Sequence, residues 1–260
     1  MDPGPLRDVL TVVLGVATGA LSGMFGVGGA VLSTPGIRLL GASALVAVGT
    51  TLPSIIPSAA AGTARYAREG LIDWRAVRFT APIGMATAVV GSLLVREVPG
   101  EGGLLMLATA ALLGLSAYRM VRAPDADDLT AETHGAPRPL RFALVGSLAG
   151  LLSGLLGIGG GIVMVPGFVQ VAGMGVKRSI ATSLVCVGIF AVPGTVTHAL
   201  LDNIDWRFAV LLAAGVVPGA RLGAALTVRA ADRRLRLTVG AFLGLTALAY
   251  AAGEVAALVN

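Results

Sequence analysis

Charge is what this sequence is shortest of. Only 13% of its 260 residues are Asp, Glu, Lys or Arg, 55% are hydrophobic, and mean hydropathy is +0.87. So few charges cannot cover a soluble globule of this length, and the composition is that of an integral membrane protein. One cysteine, Cys186, excludes an intramolecular disulfide, and two histidines, His134 and His198, are too few for a metal cluster. No metal and no cofactor is expected. The acids all fall in loops or near the ends of apolar runs, so a mid-membrane carboxylate to relay protons is missing. With neither a His/Asp/Glu cluster nor a G-x-S-x-G elbow, the chain does not read as an enzyme. Met1 to Asp8 lacks a strongly basic start and the first apolar run ends without an A-x-A-like site, so no cleavable signal is read there. The net charge of +5 would suggest nucleic acid in a soluble domain, but here the arginines sit in short loops between apolar runs. Membrane topology explains them, and no nucleic-acid partner is expected.

Glycine, by contrast, is plentiful and patterned. The stretch SGLLGIGGGIVMVP, Ser153 to Pro166, has a near copy in SGMFGVGGAVLSTP, Ser22 to Pro35, which aligns Gly26 with Gly157, Gly28 with Gly159, Gly29 with Gly160 and Pro35 with Pro166. The motif Ile72-Asp73-Trp74-Arg75 recurs as Ile204-Asp205-Trp206-Arg207, and Thr50-Thr51 falls where Thr182-Ser183 falls. The chain is therefore a duplication. A G-x-G-G cluster between apolar runs marks a helix break with free backbone, which survives in a membrane only inside protein or beside a water-filled cavity.

Apolar pieces Leu10 to Met24 and Val27 to Leu40 flank the first break; at about 1.5 Å per residue each spans roughly 22 Å, which reads as two half-helices or a steep hairpin. The second break repeats the plan with Phe142 to Leu156 and Ile158 to Ala172. The expected fold is all-α and membrane-embedded, with two inverted repeats of about five transmembrane or half-membrane helices each and glycine-broken helices at the centre. The expected bounds are 8–121 for the first repeat, 122–140 for a solvated cytoplasmic linker and 141–258 for the second repeat. Inversion follows from loop charge: Arg65 to Arg78 holds four arginines and its counterpart Asp202 to Arg207 one, whereas Arg96 to Gly103 holds one and its counterpart Arg229 to Arg236 four.

These residues resemble the TauE/SafE family of sulfite exporters: two copies of S-G-x-x-G-x-G-G, each with a proline beyond, each followed by a Thr-Thr or Thr-Ser pair. The resemblance covers roughly Leu10 to Ala252, and the first copy departs from the second in carrying Ala30 in place of Gly161. It implies a multi-pass permease of the bacterial or archaeal inner membrane for sulfite, sulfonates or related small organosulfur anions, with export as the expected direction.

The residues alone support an anion site. Half-helix N-termini carry free N–H groups and about half a positive charge, so two such ends facing one cavity would cradle a small oxyanion. The candidate substrate-binding residues are Gly26, Gly28, Gly29, Gly157, Gly159, Gly160 and Gly161, with Thr50, Thr51, Thr182 and Ser183 as hydroxyl donors and Arg221 as an attracting charge. Pro35, Pro166 and His198 are candidate gate or hinge residues. Each has a plainer reading: the glycines as small-xxx-small helix packing, the hydroxyls bonded back to their own carbonyls, Arg221 snorkelling, His198 an interfacial anchor. Asp73 and Asp205 read as helix caps beside interfacial tryptophans. The expected partners are the bilayer and a small anion, and a homodimer is left open. A channel or transporter for another small solute, and a non-transporting membrane protein, remain alternatives.

Overall fold

The structure is a computed structural model and describes residues 4–94, 103–122, 138–156 and 160–259. Among them are ten helices: α1 (Pro5–Phe25), α2 (Ala30–Leu39), α3 (Ala44–Arg68), α4 (Trp74–Leu94), α5 (Gly103–Arg122), α6 (Arg138–Leu156), α7 (Gly161–Gln170), α8 (Val176–Leu200), α9 (Trp206–Arg229) and α10 (Asp232–Val259). No strand occurs among the described residues. By length and composition α1, α8 and α9 can each cross a membrane. The protein is an all-helical membrane protein.

The pieces beside each break are not equal halves. α1 has 21 residues and α6 has 19, about 30 Å of helix each, whereas α2 and α7 have 10 residues, about 15 Å. The expectation of two matched pieces per break is corrected here. Pro5, with its fixed φ, starts α1 ahead of the apolar run, and Asp8 sits in the first turn where the helix dipole favours it.

Local conformation repeats with the sequence. Gly29 (φ 80) precedes α2 as Gly160 (φ 67) precedes α7; Gly41 (φ 103) and Gly173 (φ 66) turn the chain after them; Gly70 (φ 63) and Asp202 (φ 54) turn it again just after α3 and α8. Asp73 and Asp205 then cap α4 and α9, their Oδ1 atoms accepting from Ala76 N at 2.9 Å, and from Arg207 N at 3.0 Å and Phe208 N at 3.1 Å.

Tertiary packing is reciprocal between the halves. α1 lies against α9 as α6 lies against α4, while α3 packs on α8 and α5 on α10. Small residues allow the closest of these approaches. Gly15, Gly19 and Gly23 of α1 face Gly215, Gly219 and Gly223 of α9, and a methyl on any of them would overlap the other helix's backbone. The small-xxx-small reading holds for these glycines, which lie on the helix seam outside the breaks.

Two links, each to a buried threonine, tie the halves together. Thr50 Oγ1 in α3 accepts from Asp205 N at 2.9 Å, and Thr182 Oγ1 in α8 accepts from Asp73 N at 3.1 Å. Thr50, near the start of α3, therefore lies beside the end of α8, and Thr182, near the start of α8, beside the end of α3. The two helices run antiparallel. One end of the bundle gathers the arginines of Arg65–Arg78 and Arg229–Arg236, with Lys177 paired to Asp232 at 3.2 Å. The opposite end holds Asp8, Asp202, Asp205 and Arg207.

Candidate functional site

The two short helices converge on the middle of the bundle. Gly28 lies against Ile55 and Val187, the midpoints of α3 and α8, and a methyl there would overlap the Val187 side chain. A methyl on Gly161 would come within 2.6 Å of Val27 Cα and 2.7 Å of the Gly26 carbonyl oxygen. The start of α7 thus abuts the first break. Gly26, Gly28, Gly29, Gly160 and Gly161 are all buried. Gly157 and Gly159 lie outside the described residues.

Positive φ at Gly26, Gly28, Gly29 and Gly160 is what the glycines provide, since a side chain there is strained whatever the space. The resulting polarity is directional. The Gly29 carbonyl accepts from Leu32 N, Ser33 N and Ser33 Oγ, all at 3.1 Å, and the Gly160 carbonyl accepts from Val163 N and Met164 N at 3.2 Å. Carbonyls face into each short helix, and the first N–H groups, which have no partner within the helix, face the centre. The partial positive end of α7 thus lies against the first break, three residues ahead of the start of α2, in a buried setting. Such an arrangement suits a small anion.

The hydroxyls are more committed than the sequence reading supposed. Thr50 and Thr182 hold the cross-half links already described. Ser183 Oγ donates to the Gly26 carbonyl at 2.8 Å, fixing the first break, and Thr51 Oγ1 donates to Val48 O at 3.0 Å while standing 3.2 Å from Thr34 Oγ1. Of the four, only Ser183 touches a break glycine in the described contacts. Arg221 is exposed on the outer surface of α9 and is not brought to the break. Pro35 is exposed in α2, whereas Pro166 is buried in α7. His198, half-buried near the end of α8, packs against Gly49, with a buried Nδ1 that has no partner among the described residues.

Two features were missed from sequence. Tyr66, fully buried near the end of α3, donates its hydroxyl to the Gly23 carbonyl, and Thr227 Oγ1 donates to the Met24 carbonyl at 3.1 Å. Together they satisfy carbonyls that the end of α1 leaves open. Ser58 Oγ donates to Ser22 Oγ at 3.2 Å, both buried. The signal for Ser22 was available, since it aligns with Ser153 in the duplicated motif; Tyr66 and Ser58 depend on contacts far apart in the chain.

Long apolar helices around two short ones that each follow a glycine break, the start of the second against the first break, define a helical membrane protein of the transporter class. The family model described as "Sulfite exporter TauE/SafE" matches residues 11–250. The chain belongs to that family. Among its relatives, a "Probable membrane transporter protein" of Xylella fastidiosa (strain 9a5c) is 29% identical over 225 residues, covering 85% of each chain. The "Probable membrane transporter protein MJ0441" of Methanocaldococcus jannaschii is 26% identical over 258 residues, covering 92% of this chain and 93% of its own. The "Probable membrane transporter protein YunE" of Bacillus subtilis (strain 168) is 26% identical, covering 84% and 88%. No solved structure matches the chain significantly.

Proposed function

We propose that the protein is a multi-pass secondary transporter of the inner membrane that exports small organosulfur anions such as sulfite or sulfonates. The observation that carries this is that α7 begins against the first break at the centre, where Gly161 abuts Val27 and the Gly26 carbonyl just ahead of α2. The antiparallel course of α3 and α8 supports two inverted repeats, residues 8–121 and 141–258, with 122–140 as the cytoplasmic linker. The arginine-rich end is then cytoplasmic. Gly26, Gly28, Gly29, Gly160 and Gly161 form the anion cradle, and Ser183 shapes it through the Gly26 carbonyl. Thr50, Thr51 and Thr182 hold the surrounding walls, and Arg221 snorkels on the lipid side. Pro35, Pro166 and His198 flank the moving parts.

An inside-negative potential favours outward movement of an anion by about 2.3 kcal/mol per charge per 100 mV, so export needs no coupled ion. Proteoliposomes loaded with sulfite and polarised by a potassium diffusion potential test this. Sulfite should move toward the positive side, with little change when a proton gradient is collapsed at fixed potential. Flux that is electroneutral, or that strictly requires the proton gradient, would sink the uncoupled mechanism, and flux of other small anions without sulfite would move the assignment to another substrate.

A further inference from the structure

The repeated Asp-Trp-Arg motif stands at opposite ends of the bundle in two different electrostatic settings. At the arginine-poor end Arg207 is neutralised, its Nη2 2.6 Å from Asp8 Oδ2. Its counterpart at the arginine-rich end, Arg75, has no such acid: the position equivalent to Asp8 is Pro139, and Arg75 makes no ion pair or hydrogen bond among the described residues. A second cation is added there as well. Arg178 occupies the position equivalent to Val46, and it too is without an ion-pair partner among the described residues.

Arg75 and Arg178 line one cavity of about 140 Å³, together with Asp73, Phe142 and the turn Ala172 to Gly175. Asp73 brings one negative charge against two positive ones, so the cavity keeps a net positive charge, and the Asp73 Oδ1 is held by Ala76 N at the start of α4. Hydrogen bonds connect the cavity wall to the site. The Asp73 N–H donates to Thr182 Oγ1, and the next residue, Ser183, holds the Gly26 carbonyl. We infer that Arg75 and Arg178 form a loading site for a small oxyanion at the arginine-rich end, a step before the central break. The assignment of this site to loading rests on the transport reading above; the binding of an oxyanion there does not. Guanidinium is suited to the task because its planar fork donates to two oxygens at once. The neutralised copy at the other end would release the anion instead of retaining it.

The same chemistry would serve the phosphate of an anionic lipid, so the test separates the two sources. Full-length protein is placed in nanodiscs of phosphatidylcholine alone and in discs containing phosphatidylglycerol, and sulfite binding is measured by titration calorimetry. Sulfite should bind in the neutral discs, and R75Q/R178Q should weaken it about tenfold or more. R75K/R178K, which keeps the charge without the planar fork, should recover part of the affinity, and R207Q should leave it unchanged, which separates loss of charge from loss of fold. Equal affinity in R75Q/R178Q overturns the proposal. So does failure of sulfite to bind the wild type, or retention of phosphatidylglycerol by the two arginines with no effect of sulfite on it. Flux is measured separately on the same preparations: sulfite that binds through Arg75 and Arg178 but is never carried across would contradict the transport reading and leave the site standing.

Discussion

The two short helices share a backbone and differ in their cover. α7 has seven of its ten residues buried, Pro166 among them, and its last residue, Gln170, donates to the Ser116 carbonyl of α5 at 3.3 Å. α2 has three buried residues, an exposed Pro35, and at the place of Gln170 a Leu39 that is 86% exposed. Both copies keep the left-handed glycine before the helix and the Thr to Asp link beyond it. What the duplication retains is thus backbone geometry, and what it lets go is the packing outside. The second break is the fixed one, and the first has the freer outer face.

Substitutions at the break glycines should separate the copies most strongly. Gly160→Val places a β-branched side chain at φ 67 with its Cβ 2.8 Å from the Ala149 carbonyl oxygen, whereas at Gly29 the nearest atom, the Thr18 carbonyl oxygen, is 3.2 Å away. The left-handed conformation alone costs about 1–2 kcal/mol for a non-glycine residue. We expect both variants to lose most sulfite flux in proteoliposomes, with G160V the more unstable by thermal unfolding in detergent. A reversed order would break the distinction between a packed and a freer half.

Next come the cross-half links, where the copies should agree. Thr182→Val and Thr50→Val each keep the shape and strand one backbone N–H, of Asp73 or Asp205, at about 1–3 kcal/mol. Comparable losses of unfolding temperature are expected, and a large difference would show that one link is dispensable. The smallest effect belongs to the helix ends: Gln170→Ala should cost about 1 kcal/mol through the bond to Ser116, while Leu39→Ala, exposed, should be near neutral. The shared inversion has its own check. In a Cys186→Ala background, a cysteine at Glu69 should react with an impermeant thiol reagent only from the cytoplasm and one at Asn203 only from outside; labelling of both from one side contradicts it.

Much of this was legible because the chain repeats itself. The glycine cluster and the Ile-Asp-Trp-Arg motif announce the duplication, and positive φ at Gly26, Gly28, Gly29 and Gly160 follows from residue type. The Asp73 and Asp205 caps were equally readable from their place before each helix. Helix lengths were less so: hydropathy sees where apolar residues begin, while α1 starts at Pro5 and runs through the polar Arg7 and Asp8. The role of Thr50 and Thr182 could not be read at all, because each hydroxyl meets a backbone group more than a hundred residues away in sequence. The same holds for the roof that α5 places over α7.

The central claim is that an anion sits between the two short helices. Selenite has the shape and charge of sulfite and a heavier centre, so an anomalous difference map from crystals grown with selenite would locate it directly. The account predicts a peak at the centre of the bundle, within about 4 Å of the backbone nitrogens that open α2 and α7, at Ala30 and Gly161. Density confined to the bundle's ends, with none between the two short helices, would contradict it.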